Sequence, residues 1–412
     1  MKKVMTAVVI AATVLTLRAE AQQSVETTAS QKAWESEGLN PKLWKRLPFE
    51  DERAYIFTHW ERMHPHSILP GAETPRVYKR NTHSIDEVTY ELDGQTYKLT
   101  DYIEKANLSG LMVLRNGEVR LEYYGKGIDA QSRNHIWSAT KSFTSTLVGM
   151  ALFEGKISSL DDLAEKYAPQ FRGTAYGETS IRHLLMMSSG VDFFHGKGSP
   201  NRRDMYNDLL QEGADFDKWA AALGRRVPGG TDFNYLATDT HVISAVLRGA
   251  YGKPFPEIVQ EKLWEPFGFG KAQWGLDFHG HATGHWSLAL TLQDFAHLGQ
   301  LYLEDLMLNG KPTVSDDWIE MVANAQAPFQ EPRVDADGNV AEGYSFQFWL
   351  PAKYDQEFMA SGAFGHYLWI DKKREFVVAQ FSIGGRRGRA GASAKEKEAV
   401  MRALGTFVID AD

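Results

Sequence analysis

Two stretches near opposite ends of the chain carry the clearest strand pattern. "L-M-V-L-R" (111–115) and "E-V-R-L-E-Y-Y" (118–124) flank Asn116-Gly117, the pair a type I′ turn requires, and so predict a β-hairpin. "F-G-H-Y-L-W-I" (364–370) and "F-V-V-A-Q-F-S" (376–382), joined by the charged turn "D-K-K-R-E", predict a second hairpin. Between them the apolar period becomes helical. "W-S-A-T-K-S-F-T-S-T-L-V-G-M-A-L-F-E-G" (137–155) predicts an amphipathic helix that begins at Ser138 and stops at Gly155. Further helices are predicted over 99–106, 206–222, 238–250, Leu292–Leu303 and about 394–408, with shorter ones in "S-S-L-D-D-L-A-E-K-Y" and "S-I-R-H-L-L-M-M-S-S-G". Residues 191–204 and the Gly/His-rich stretch 275–287 read as loops.

Strands at both ends and helices between them predict an α+β fold. One antiparallel sheet is built from both ends of the chain, flanked by helices, with a helical lobe inserted in the middle. The boundaries that follow are a leader at 1–21, an N-terminal arm with short helices at 22–98, a sheet domain from 99–155 and 284–412, and a mainly helical domain at 156–283. No internal repeat is present.

Charge and composition narrow the function. The 412 residues carry a formal charge of −8 and no basic tract, which argues against nucleic acid as a partner. Lys2 and Lys3 precede an apolar run, and Ala19-Glu20-Ala21 follows it: the pattern of a signal peptide cleaved after Ala21, which predicts a periplasmic or secreted protein with no membrane span after cleavage. Cleavage would lower the charge to about −10. The absence of cysteine excludes a thiol nucleophile, disulfides and a lipidated cysteine.

The candidate chemistry starts at Ser138 and Lys141, which share a helix face three residues apart. Taken alone they read better as an N-cap and a solvated lysine, and one S-x-x-K is expected by chance in a chain of this length. A serine becomes a nucleophile when a neighbour takes its proton, and a lysine can do so when burial favours its neutral form. Tyr235 in "P-G-G-T-D-F-N-Y-L-A-T-D-T" lies at a loop end where its hydroxyl can reach a cleft, although a core tyrosine reads as well. "F-M-A-S-G-A-F-G-H-Y" (358–367) has Gly362 and Gly365, which let backbone approach a ligand, so the N–H of Ala363 could face that of Ser138 across a carbonyl.

In this order S-x-x-K, "P-G-x-x-F-x-Y" and a glycine-rich C-terminal strand resemble the serine β-lactamase and penicillin-binding protein superfamily. "G-L-M-V-L-R-N-G-E-V-R-L-E-Y-Y", "I-R-H-L-L-M-M-S-S-G-V" and "L-A-L-T-L-Q-D-F-A-H-L-G-Q-L-Y-L" extend the likeness over residues 100–410. It is strongest to the class C-like branch of carboxylesterases, D-aminopeptidases and, most of all, 6-aminohexanoate-dimer (nylon-oligomer) hydrolases. The resemblance implies the β-lactamase/DD-peptidase-like fold. It also implies Ser138 as nucleophile, Lys141 as its base, Tyr235 as the second acid/base, and an oxyanion hole of the Ser138 and Ala363 N–H groups. His285 and His366 fall where that group has substrate-binding residues. No cofactor or metal is implied, the substrate being a small ester or amide.

Two departures bear on the substrate. Ala237 replaces the usual Asn or Ser of Y-x-N, and "A-S-G-A" replaces K-T-G, whose lysine meets a substrate carboxylate. The missing lysine favours a plain ester or linear amide over β-lactamase or DD-peptidase action. The rival readings are a non-catalytic penicillin-binding-like scaffold and a metal site in "D-F-H-G-H-A-T-G-H", with Asp277, His279, His281 and His285 as ligands. No G-x-S-x-G or H-E-x-x-H is present.

Overall fold

The computed structural model describes Leu47 and residues 50–193, 205, 213–336, 338–385 and 391–412. The leader, most of the 191–204 loop and residues 206–212 lie outside the described residues.

The predicted hairpins form the centre of an eight-stranded sheet. Its order is 343–344, 349–350, 357–362, 366–371, 376–382, 108–115, 118–124 and 79–80. All pairs are antiparallel except the last, where Lys79 and Arg80 run parallel to Glu118 and Val119. Asn116 (φ 52°) and Gly117 (φ 70°) make the positive-φ turn that this residue pair favours. The central strands read as nearly unbroken apolar runs because both faces are covered. Leu111, Val113, Phe376 and Val378 join Met401, Leu404 and Val408 of the C-terminal helix Ala394–Asp410 in one core. Met112, Leu114, Val377 and Ala379 face the opposite core, which includes Phe295 and Leu298 of the helix Leu292–Leu303.

Three expectations are corrected. The chain builds a second, four-stranded sheet from His66–Leu69, Ala272–Gly275, Leu288–Leu290 and Asn134–His135, so the N-terminal arm contributes strands as well as helices. The second hairpin starts at His366 rather than 364, because Ala363–Gly365 form a tight turn with Phe364 at φ 70°. The helix predicted from Ser138 begins at Thr140, after a 3₁₀ turn Trp137–Ala139, and Ser138 does not cap it.

That helix, Thr140–Phe153, is not amphipathic in its surroundings: residues from Thr140 to Ala151 are all buried. Three of its hydroxyls donate to loop carbonyls. Ser142 Oγ donates to Gln347 O (2.8 Å), Ser145 Oγ to Phe346 O (2.8 Å) and Thr144 Oγ1 to Gly284 O (2.6 Å). A polar stripe can therefore be a buried docking face.

Candidate active site

The four-stranded sheet sets two segments side by side. His135 pairs with Ala289, and the Ile136 N–H donates to Leu288 O at 2.9 Å. The chain leaving His135 enters the Ser138 turn, and the chain entering Leu288 carries His285. Lys141 rises between them. Its Nζ donates to the His285 carbonyl at 2.6 Å and lies 3.1 Å from Ser138 Oγ. The Lys141 residue is 2% exposed, which supplies the burial that its reading as a base requires. The second contact on the lysine is thus a backbone oxygen, a group with no signature in the sequence.

Tyr235 stands on the extended segment before the helix Ala237–Tyr251, as predicted. Lys141 Nζ sits 5.0 Å from its ring centroid. Trp349 and Tyr344 also pack against that ring, at centroid distances of 5.2 and 5.8 Å. Tyr344 is buried, and burial together with nearby Tyr235 and Asp239 pushes its phenol well above the usual range. Ala237 occupies the first turn of the helix and is buried.

Ala363 begins the turn at the end of the strand Glu357–Gly362. Gly362 lies so close to Ile136 that a Cβ there would come 2.2 Å from the Ile136 carbonyl oxygen. The close approach expected of Gly362 is therefore directed at the segment that carries Ser138.

The histidines take different places. The His285 ring is buried and packs edge-on against Phe216 at 5.0 Å. Burial, then the Lys141 and His241 charges, hold it well below the usual imidazole range, so it is neutral. His366 is buried between Phe57 and Phe381, each at 5.5 Å, and burial lowers it to about 3.

Of the metal reading, the structure brings together Asp277 and His281, but their third neighbour is Asp215 rather than His279 or His285. Asp277 accepts the backbone N–H groups of Phe216, His279 and His281, at 2.8–2.9 Å. Burial opposes the charge on His281, but hydrogen bonds to Asp215 and Asp277 raise it to about 10. Nearby, Asp217 on the helix Phe216–Ala221 accepts from His241 (2.6 Å) and Arg248 (2.6 Å), a charge network that ties two helices together. These contacts make the acidic residues a structural clasp on the 275–287 loop.

One residue that sequence reasoning missed is Gln347. It is buried with φ 64°, its Oε1 accepts from Thr240 on the helix that follows Tyr235 (2.6 Å), and its carbonyl accepts from Ser142 on the Lys141 helix. Its amide donates to the carbonyls of Leu184 (3.1 Å) and Leu185 (2.9 Å). Its unusual backbone conformation is visible only in the fold.

Known proteins share this family and fold. Residues 100–400 match the Beta-lactamase protein family. A 6-aminohexanoate-dimer hydrolase of Paenarthrobacter ureafaciens is 26% identical over 329 residues, 76% of this chain and 82% of that protein. Among solved structures, one described as a 6-aminohexanoate-dimer hydrolase from Bacillus anthracis superposes with a TM-score of 0.73 at 20% identity, covering 86% of this chain and 92% of the other. A penicillin-binding protein from Bacillus halodurans superposes with a TM-score of 0.56 at 14% identity, covering 75% and 99%. The shared fold is the β-lactamase/penicillin-binding fold expected from the sequence.

Proposed function

The chain belongs to the Beta-lactamase family, and from that premise we propose that it is a serine hydrolase that cleaves small carboxylic esters or linear amides through an acyl-enzyme on Ser138. The observation that carries this reading is the 3.1 Å contact between Lys141 Nζ and Ser138 Oγ in a buried setting. The Ser138 proton passes to Lys141 as Oγ attacks the carbonyl carbon. The N–H groups of Ser138 and Ala363 receive the developing oxyanion. Tyr235, beside Lys141, hands a proton to the leaving oxygen or nitrogen and later helps draw one from the attacking water.

The relative from Paenarthrobacter supports a linear amide as one substrate, and Ala360 at the first position of the expected K-T-G supports the absence of a carboxylate anchor. Export rests on the leader pattern of residues 1–21, with a mature N-terminus at Gln22. No described helix is long and apolar enough to cross a membrane.

A hydrolysis panel of p-nitrophenyl esters, linear aminohexanoate amides, D-amino-acid amides and nitrocefin tests the reading, alongside a fluorophosphonate probe. Labelling should map to the Ser138 peptide, with esters or linear amides cleaved far better than nitrocefin. No labelling would leave the scaffold reading. Nitrocefin as the best substrate would refute the argument from the missing lysine.

A further inference from the structure

Ser138 and Ala363 each sit beside a residue in the left-handed region, and neither neighbour is glycine. Trp137, just before Ser138, has φ 54°, and Phe364, just after Ala363, has φ 70°. A bulky side chain with positive φ is disfavoured by its own Cβ, so surrounding contacts must hold it there. The Trp137 backbone orients the peptide that bears the Ser138 N–H, and Phe364 bends the chain away directly after Ala363. The two side chains meet each other, with ring centroids 4.9 Å apart.

A third ring closes the group, and it comes from the N-terminal arm. Phe57, on the helix Glu50–Thr58, lies 5.6 Å from Trp137 and 5.1 Å from Phe364. Phe57 is fully buried. Trp60, one turn on, backs Trp137 at 5.3 Å and stacks on His135 at 3.6 Å. Arg53, on the same helix, lies over the Phe364 ring at 5.1 Å and donates to the carbonyls of Leu47 (2.8 Å) and Ile383 (2.9 Å). The arm is therefore fastened at one end to the segment just after the strand 376–382 and pressed at the other against both residues that flank the oxyanion donors.

The geometry points to the arm helix as a positioning element for the oxyanion hole, with Phe57 as the positioning residue that locks Trp137 and Phe364 in their left-handed conformations. This inference rests on the serine-hydrolase reading above. Phe57 reaches no reacting atom. It acts through the two peptides whose N–H groups must converge on one oxygen, and small errors in that convergence cost transition-state binding more than substrate binding.

The test uses the full chain with Phe57→Ala, Phe57→Leu and, as a stability control, Leu404→Ala in the core on the other face of the main sheet. Three quantities are read: kcat and KM for a p-nitrophenyl ester, the inhibition constant of a small alkylboronic acid, and the urea midpoint. A boronate forms a tetrahedral adduct with the serine and so reports on the oxyanion hole. Phe57→Ala should lower kcat and boronate affinity together by about tenfold or more, with KM within about threefold, and Phe57→Leu should fall between. Leu404→Ala should lower the urea midpoint while keeping kcat and boronate affinity. Unchanged kcat and boronate affinity in Phe57→Ala, or equal losses in Leu404→Ala, would overturn the inference. Should Phe57→Ala not fold, parallel losses in Phe57→Leu support the inference and unchanged values overturn it. An unaltered protein that neither labels with fluorophosphonate nor hydrolyses any ester or amide would overturn the hydrolase reading and this inference with it. An active protein indifferent to Phe57 overturns the inference alone.

Discussion

Gly362 meets the Ile136 carbonyl at a distance that leaves no room for a side chain: a Cβ at 362 would lie 2.2 Å from that oxygen. The contact joins the end of one sheet strand to the residue two before Ser138, and the next residue after Gly362 is Ala363. The spacing between the two candidate oxyanion donors is thus set by a glycine against a carbonyl. Gly362→Ala must push the two segments apart. We expect kcat to fall by about a hundredfold or more while the protein stays folded, since misplacement on the order of 1 Å is enough for such a loss. Steady-state kinetics and a thermal melt check this, and near-normal turnover would show that Ala363 is not a donor.

Ser138 and Lys141 are expected to behave as one unit. Ser138→Ala and Lys141→Ala should each lower kcat by at least about a thousandfold, with the double variant little worse than either. Tyr235→Phe keeps its packing against Trp349 and Tyr344 and should lose on the order of a hundredfold. Intact-mass and peptide mass spectrometry should find the acyl adduct on the Ser138 peptide. A folded Ser138→Ala protein that turns over substrate normally would remove the proposed mechanism.

Gln347 links the helix carrying Lys141 to the helix that follows Tyr235. Gln347→Leu keeps most of the volume but leaves the Leu184 and Leu185 carbonyls and the Thr240 hydroxyl without this partner. Buried polar groups stripped of a partner cost about 1–3 kcal/mol each, so a drop of roughly 3 kcal/mol in unfolding free energy is expected. Urea denaturation measures it. An unchanged midpoint would show that water or rearrangement replaces the amide.

Acid should destabilise the fold through buried neutral histidines behind the Ser138 turn. Burial lowers His64 to about 4 and His366 to about 3. Burial, aided by repulsion from those two, holds His135 well below the usual range. Unfolded histidine titrates near 6.5. Above that pH both states are neutral and the term is constant. As pH falls below it the unfolded chain takes up protons that the folded chain refuses, so stability is lost between about 6.5 and the folded values of 3 to 4, by roughly 3 to 5 kcal/mol for each of these two histidines at the acid limit. Urea midpoints from pH 7 to 4 should fall less steeply in His366→Phe, which matches the neighbouring Phe57 and Phe381 rings. The same slope in both proteins would mean that His366 does not titrate with folding.

The sequence determined what short-range geometry determines. Asn116-Gly117 placed the first hairpin because that pair suits the turn whatever surrounds it. The apolar period marked the helix Leu292–Leu303 to the residue. Ser138 and Lys141 were legible as a pair because three residues of turn or helix bring them to one side in any fold. Tertiary structure decided the rest. The second partner of Lys141 is a carbonyl 144 residues away, and every residue has a carbonyl, so no side chain could announce it. The helix 140–153 read as amphipathic because hydropathy cannot see the loops whose carbonyls accept from Ser142, Thr144 and Ser145. The histidines of the 275–287 loop looked like ligands, yet His281 pairs with carboxylates and His285 contributes its backbone, since the course of the folded loop chose their neighbours. Trp137 and Phe364 carry no local sign of positive φ. That conformation exists because Phe57, from a separate element, packs where the two rings meet, and only a completed fold brings those three residues together.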